Sequence, residues 1–187
     1  MRSKVFDIDL LLKRGEILSE LELERASIAE RKLRILSKQN PDIKSKRKKL
    51  RDLIAAYENK HWNRSRISDT KLIESTQAET IANSESDFIE LRKKLIRSKL
   101  KSLGLNQQEF GKILGHDSKS YMSELMNGIV PFTLKDLIII SKLLKINLNK
   151  LIPTQIDESD KIKIEQKISS LGIPQIRLNK ESFAIIK

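Results

Sequence analysis

Five polar residues lie near the middle of the 187-residue chain and would point outward on a short helix whose apolar residues face inward. They are Ser118, Lys119, Ser120, Ser123 and Glu124. Small hydroxyl side chains let a helix approach a nucleic-acid groove closely, and lysine, serine and glutamate can exchange hydrogen bonds with base edges. We therefore expect Lys119, Ser120 and Ser123 to read bases, and Glu124 to accept a hydrogen bond from a cytosine amine.

The surrounding residues predict two short helices within residues 104–128, joined by a turn at Gly115, whose left-handed backbone would end the first helix. Each helix has three apolar residues at the i, i+3 and i+4 spacing of one helical face. They are Phe110, Ile113 and Leu114, then Met122, Leu125 and Met126. Helices this short are unstable alone, so each must pack onto neighbours. The arrangement is that of a helix-turn-helix, whose second helix enters the major groove of DNA.

Other polar residues around this motif are candidates for contacts with the DNA backbone. Gln107 opens the first helix, where free backbone N–H groups would also favour a phosphate. Asn127 and Lys135 are further phosphate candidates. Local capping is the alternative role for Gln107 and Asn127, and a solvated side chain is the alternative for Lys119.

The chain is strongly basic, with a net charge of +12 and a pI near 9.8. This charge favours a polyanionic partner, which leaves nucleic acid, an anionic membrane surface and an acidic protein open. The sequence contains no run of about 18 apolar residues, so no transmembrane helix is predicted. It also lacks an apolar stretch near the start, so no signal peptide is predicted. We expect a cytoplasmic protein without membrane attachment.

The same composition argues against an enzyme. The only histidines, His61 and His116, are far apart and do not follow a metal-ligand pattern, and no glycine-rich phosphate loop occurs. The absence of cysteine excludes disulfides and thiolate metal sites. We expect no catalysis, no cofactor and no bound metal.

Apolar residues at helical spacing predict an all-α fold, with room for one sizeable core or two small ones. Residues 1–62 would form an N-terminal helical region, with a break near Gly15. Residues 63–86, rich in serine, threonine, asparagine and glutamate, would form a linker. Residues 87–153 would form the helix-turn-helix domain, and residues 154–187 a helix followed by a short strand or hairpin.

Within that domain, a helix is predicted over residues 88–103, with its capping box beginning at Asp87. Its buried face would consist of Leu91, Leu95, Leu100 and Leu103, and Arg92 would lie among the basic residues of the opposite face. Thr133, with Asp136 three residues later, would cap a following helix.

Two features of the N-terminal region have more than one interpretation. The basic run at residues 44–51 could bind phosphate, dock an acidic partner or simply form a solvated helix face. Trp62, the only tryptophan, would anchor either a small core or an interface.

Residues 91–153 resemble the five-helix DNA-binding domain of the Cro/C1 (Xre-type) repressors. The resemblance rests on Gly104-Leu105-Asn106-Gln107, Phe110-Gly111, Ile113-Leu114-Gly115, Ser120-Tyr121-Met122-Ser123, Leu125-Met126-Asn127-Gly128 and Ile146-Asn147-Leu148. The family usually has alanine where Gly111 stands, and the turn Gly115-His116-Asp117 is one or two residues longer than usual.

A closer resemblance is to HigA-type antitoxins of bacterial toxin–antitoxin systems. Residues 118–128 look like their SKSxVSxxLxGK segment, with Ile129 in place of the usual lysine. Residues 131–135 look like their following helix start, and residues 50–62 are similar to their LxxLixxYExxHy helix.

This resemblance implies a homodimer that represses its own operon by binding double-stranded operator DNA and that neutralises a small HigB-like ribonuclease toxin through its N-terminal helices. An acidic series is the better candidate for contacting a basic toxin: Glu16, Glu20, Glu22, Glu24 and Glu30. A stand-alone or phage-type Xre-family repressor with an N-terminal sensing or oligomerisation region is the alternative. A protein-interaction module that uses its helix-turn-helix only for packing is a third possibility.

Overall fold

The computed structural model describes residues 6–39, 41–62, 67–153, 156 and 158–172, and this part of the chain is all-α, as predicted. Its helices are α1 (Ile8–Arg14), α2 (Glu20–Leu36), α3 (Pro41–His61), α4 (Asp69–Ser102), α5 (Gln107–Leu114), α6 (Lys119–Asn127), α7 (Leu134–Leu144) and α8 (Glu158–Ser170). Single 3₁₀ turns follow α2, at Ser37–Gln39, and α7, at Leu148–Lys150. The strand or hairpin predicted after residue 172 lies outside the described residues. None of the described helices is long and apolar enough to cross a membrane.

The N-terminal helices begin and end at residues suited to those positions. The Asp7 carboxylate accepts hydrogen bonds from the first N–H groups of α1, and Ser19 caps α2 in the same way. Gly15 ends α1 with a positive φ of 82°, a backbone conformation that costs glycine little. The predicted break near Gly15 is therefore confirmed.

The predicted linker is wrong for residues 69–86, which belong to the single 34-residue helix α4. Its hydroxyl side chains do not break the helix, because Thr76 and Thr80 each donate to the backbone oxygen four residues earlier, at 2.9 Å. Small buried residues, Ala78 and Ala82, allow α2 to pack closely against this part of α4. No helix begins at Asp87, which lies within α4.

The exposed and buried faces of α4 also differ from the prediction at several positions. Leu91 and Leu103 are 64% and 54% exposed, whereas Arg92 is buried. The Arg92 guanidinium lies 5.2 Å from the centre of the Phe132 ring and donates to the backbone oxygen of Leu151 at 3.2 Å. Burial lowers the pKa of Arg92 to about 10. Arg92 therefore joins α4 to the segments that follow α6 and α7.

One hydrophobic core runs through the N-terminal region and the helix-turn-helix together. Leu33 and Leu50, from α2 and α3, belong to the same buried cluster as Ile96, Phe110 and Leu125. The N-terminal helices α1, α2 and α3, called the N-terminal layer below, thus pack directly on the rest of the protein. The predicted separation into two units joined by a linker does not occur.

Candidate nucleic-acid interface

The two helices of the predicted helix-turn-helix form, and each has a defined cap. Asn106 and Glu109 make a capping box at the start of α5, and the Ser118 hydroxyl accepts from the Tyr121 N–H at the start of α6. Gly115 and Gly128 end the two helices in the left-handed conformation. These caps define where each of the two helices begins and ends.

The turn between α5 and α6 folds back over Gly111. The His116 N–H donates to the Gly111 oxygen at 2.8 Å, and a Cβ on Gly111 would lie only 2.8 Å from the His116 oxygen. The His116 ring contacts the Asp136 carboxylate of α7 at 3.1 Å. The turn therefore leaves no room for a methyl group on Gly111, which accounts for a glycine at this position.

Several predicted DNA-binding residues lie together at the N-terminal end of α6. Ser118 and Lys119 are exposed, whereas Ser120 and Ser123 are half-buried. The half-buried Gln107 of α5 donates to the Ser123 hydroxyl at 3.1 Å. Lys135, in the first turn of α7, is also exposed.

Glu124 does not face solvent, contrary to the prediction. Its side chain is only 8% exposed and forms an ion pair with Lys46 of α3, which also contacts Asp9 of α1 at 2.8 Å. Burial opposes the charge on Lys46, but hydrogen bonds to Asp9 and Glu124 outweigh it and raise the pKa of Lys46. The prediction failed because the N-terminal layer packs against this flank of α6, a contact that helical spacing does not reveal.

Asn127 is also buried, and its polar groups bond within the protein. Its side chain donates to the Ser123 backbone oxygen and accepts from Lys93, both at 2.7 Å. Its backbone oxygen accepts from Lys32 of α2 at 3.2 Å. These bonds connect α6 to α2 and α4, so Asn127 has a structural role that reaches further than the local capping expected as the alternative to a phosphate contact.

Sequence reasoning missed Lys46 as a partner of α6. Lys46 and Arg47 belong to the basic run but turn inward, Lys46 to Glu124 and Arg47 to Glu30 at 2.7 Å. The rest of the run leaves four exposed basic side chains: Lys44, Lys48, Lys49 and Arg51. A uniform series of lysines and arginines gives no signal for which of them will point inward.

The acidic series assigned to a toxin surface is largely used within the protein. Glu20 is fully buried and accepts from Tyr57 at 2.8 Å and from Trp62 at 3.2 Å, while Lys71 pairs with it. Trp62 is thus an internal anchor through its indole N–H. Glu22 pairs with Arg14 and Glu30 with Arg47, which leaves Glu16 exposed and Glu24 half-buried.

Within the described ranges, no group of histidine, cysteine, aspartate and glutamate side chains could hold a metal ion. Comparisons with protein-family models, with curated proteins and with solved structures found no match. The resemblance to Xre-type repressors and HigA-type antitoxins therefore stays a prediction.

Proposed function

We propose that the protein is a DNA-binding regulator that reads duplex DNA through the N-terminal end of α6. The observation that carries the proposal is the exposed end formed by Ser118 and Lys119, with Ser120 and Ser123 half-buried beside it. The N-terminal residues of the second helix are the ones that contact base edges in helix-turn-helix proteins. The Gln107 bond to Ser123 supports this assignment, because it orients one of these side chains from the neighbouring helix.

Within this proposal, Lys119, Ser120 and Ser123 contact base edges, and Gln107 and Lys135 contact phosphates on either side. The net charge of +12 supplies the long-range attraction that helix-turn-helix proteins use. Glu124 and Asn127 are left out of the contact set because their side chains bond within the protein.

We further propose that the protein acts as a cytoplasmic antitoxin. It would bind its operator as a homodimer, repress its own operon and neutralise a HigB-like ribonuclease. The resemblance of residues 50–62 and 118–135 to HigA-type antitoxins supports this proposal. A charged groove between α2 and α3, lined by Glu30, Arg31, Arg51 and Glu58 among others, is the candidate toxin-contacting surface. A stand-alone Xre-family repressor remains the alternative.

Substitution of Lys119 tests the DNA-binding proposal. Lys119→Ala should weaken binding to the duplex immediately upstream of its own gene by roughly 1–3 kcal/mol if Lys119 reads a base. Lys60→Ala, which removes an exposed lysine at the far end of α3, is the control and should cost much less. Fluorescence anisotropy titrations at several salt concentrations measure both the affinity and its salt dependence.

A second candidate, a protein-interaction module that uses the helix-turn-helix only for packing, is favoured by the burial of Glu124, Asn127 and Ile129. It predicts no salt-dependent affinity for duplex DNA and equal behaviour of Lys119→Ala and Lys60→Ala. Either result would reject the DNA-binding proposal.

The antitoxin role has its own test. We expect a neighbouring open reading frame for a small basic protein that arrests growth when expressed alone. Co-expression of the present chain should restore growth. Failure to restore growth, with operator binding intact, would favour the stand-alone repressor.

A further inference from the structure

The C-terminal half of α6 and the loop that follows it are covered by the N-terminal layer on one side and by α4 on another, where Lys93 bonds to Asn127. Glu124 and Asn127 are 6% and 9% exposed, and in the following loop Ile129 is fully buried and Val130 is 7% exposed. The covered segment adjoins the exposed end of α6 that carries Lys119. One short helix therefore has an open half and a closed half.

All three helices of the N-terminal layer contribute to this cover. From α1, the Ile8 N–H donates to the Ile129 oxygen at 3.5 Å, and from α2, Lys32 donates to the Asn127 oxygen at 3.2 Å. From α3, Lys46 pairs with Glu124. These three contacts are polar, and beside them Ile8 and Ile129 lie fully buried in the hydrophobic core that the layer shares with α6.

The covered residues adjoin the side of α6 that would face DNA. Successive residues of an α-helix are about 100° apart, so Glu124 lies only about 40° around the helix from Ser120 and one turn further along. An α-helix with its side chains is about 10–12 Å wide, and the major groove is about 12 Å wide. A groove that admits α6 along its whole length therefore has no room for α1 and α3 on its flank.

We propose that the N-terminal layer and duplex DNA compete for the C-terminal half of α6, so that the layer regulates DNA binding by covering that half. This inference rests on the proposed DNA-binding function. In the closed state, in which the layer covers the C-terminal half of α6, only the N-terminal end of α6 contacts the groove. In the open state the whole of α6 enters the groove, which requires Lys46 to leave Glu124. Any partner that holds the layer closed lowers the affinity for DNA, and any partner that draws it away raises that affinity, because each ligand shifts the balance between the two states.

The two lysine contacts with α6 can exchange one partner for another. Lys46 is shared between Glu124 and Asp9, and the Asp9 side chain is 50% exposed, so Lys46 keeps one carboxylate partner when it leaves the other. Lys32 likewise lies within 3.6 Å of Glu90 on α4, which can hold its charge when the Asn127 contact breaks. Opening therefore leaves both lysines with a carboxylate neighbour.

The test compares Lys46→Gln with Lys48→Gln in the full chain, using the duplex immediately upstream of its own gene. Both variants lose one positive charge from α3, and Lys48 is exposed. Electrostatics alone predicts the same small loss of affinity for both. Competition predicts that Lys46→Gln binds roughly tenfold more tightly than Lys48→Gln, because the open state becomes more populated.

A second pair of variants removes a carboxylate instead. Glu124→Gln should tighten binding more than Asp117→Asn, which removes an exposed negative charge from the turn before α6. The double variant Lys46→Met/Glu124→Leu keeps the net charge and replaces the ion pair with apolar contact, a change that is often neutral or stabilising. It should return the affinity to the wild-type value.

Hydrogen exchange on the wild-type protein makes the test independent of how well the variants fold. Saturation with duplex should speed exchange of the Ile8 amide, whose bond to Ile129 closes the layer. Unchanged exchange at Ile8 in the bound protein, or equal affinities of Lys46→Gln and Lys48→Gln, would overturn the competition and leave the DNA-binding proposal standing. An absence of salt-dependent binding by the wild type and every variant would overturn both.

Discussion

Two buried glutamates join the N-terminal layer to the rest of the molecule, and they are held in very different ways. Glu20 is fully buried and accepts from Tyr57, Trp62 and Lys71, so both of its oxygens are bonded. The Lys71 ammonium also lies 5.5 Å and 5.8 Å from the centres of the Tyr57 and Trp62 rings. Glu124 forms an ion pair with Lys46, which also pairs with the half-exposed Asp9.

The difference separates a permanent junction from one that can open. Removal of Lys71 leaves the Glu20 charge without access to water and without a counter-charge, a change that costs several kcal/mol. When Lys46 moves away from Glu124, it stays beside Asp9 at the protein surface, and the same movement of the layer admits water to the Glu124 carboxylate, so the cost is smaller. We therefore expect the end of the layer near the start of α4 to stay fixed while the end near α6 moves.

The largest expected effect is at Glu20. Glu20→Gln should lower the free energy of unfolding by roughly 2–3 kcal/mol, because both Glu20 oxygens accept hydrogen bonds and the amide NH2 that replaces one of them cannot accept. Thermal and denaturant melts followed by circular dichroism measure it. Glu16→Gln, at an exposed position, should change stability by less than about 0.5 kcal/mol. Equal melting of both variants would remove the distinction between the two junctions.

An intermediate effect is expected where α6 meets α4. Gly128 has a φ of 69°, and a Cβ there would lie 2.6 Å from the Ile89 side chain. Gly128→Ala should therefore cost about 2 kcal/mol, since the left-handed conformation alone costs an alanine roughly 1–2 kcal/mol and Ile89 must also move. Gly115 has a φ of 85°, but nothing lies within 4 Å of the position that a Cβ would take. Gly115→Ala should therefore lower the free energy of unfolding by less than Gly128→Ala in the same melts.

The smallest effect is expected at Glu124. Glu124→Gln should cost about 1 kcal/mol, because glutamine can still accept from Lys46 and only the charge on the bond is lost. Its denaturant midpoint should lie well above that of Glu20→Gln. A loss as large as that of Glu20→Gln would show that the junction at α6 is as rigid as the other one, and would count against opening.

The sequence predicted the local elements better than the way they pack. Caps at Thr133 and Gly115 were predicted correctly because the chemistry of a cap lies within four residues. Glu124 was misplaced because its environment is set by Lys46, 78 residues earlier in the chain.

The error over residues 69–86 has a similar origin. Serine and threonine have modest helix propensity, so their abundance favoured a linker. In the structure, packing of Ala78 and Ala82 against α2 stabilises the helix, and the ion pair between Arg25 and Glu85 adds a contact at 2.7 Å. Tertiary contacts of this kind decide the state of a segment whose own preference is weak.

Because α4 is one continuous helix, its middle cannot gain or lose residues as freely as a loop can. Its 34 residues span about 50 Å, with Lys71 paired to Glu20 near one end and Ile89 against Gly128 towards the other. Deleting one residue between these two contacts would turn one end by about 100° relative to the other and misalign both. Inserting seven would nearly restore the angle but would separate the ends by about 10 Å. Relatives of this chain should therefore accept substitutions in this stretch but not insertions or deletions.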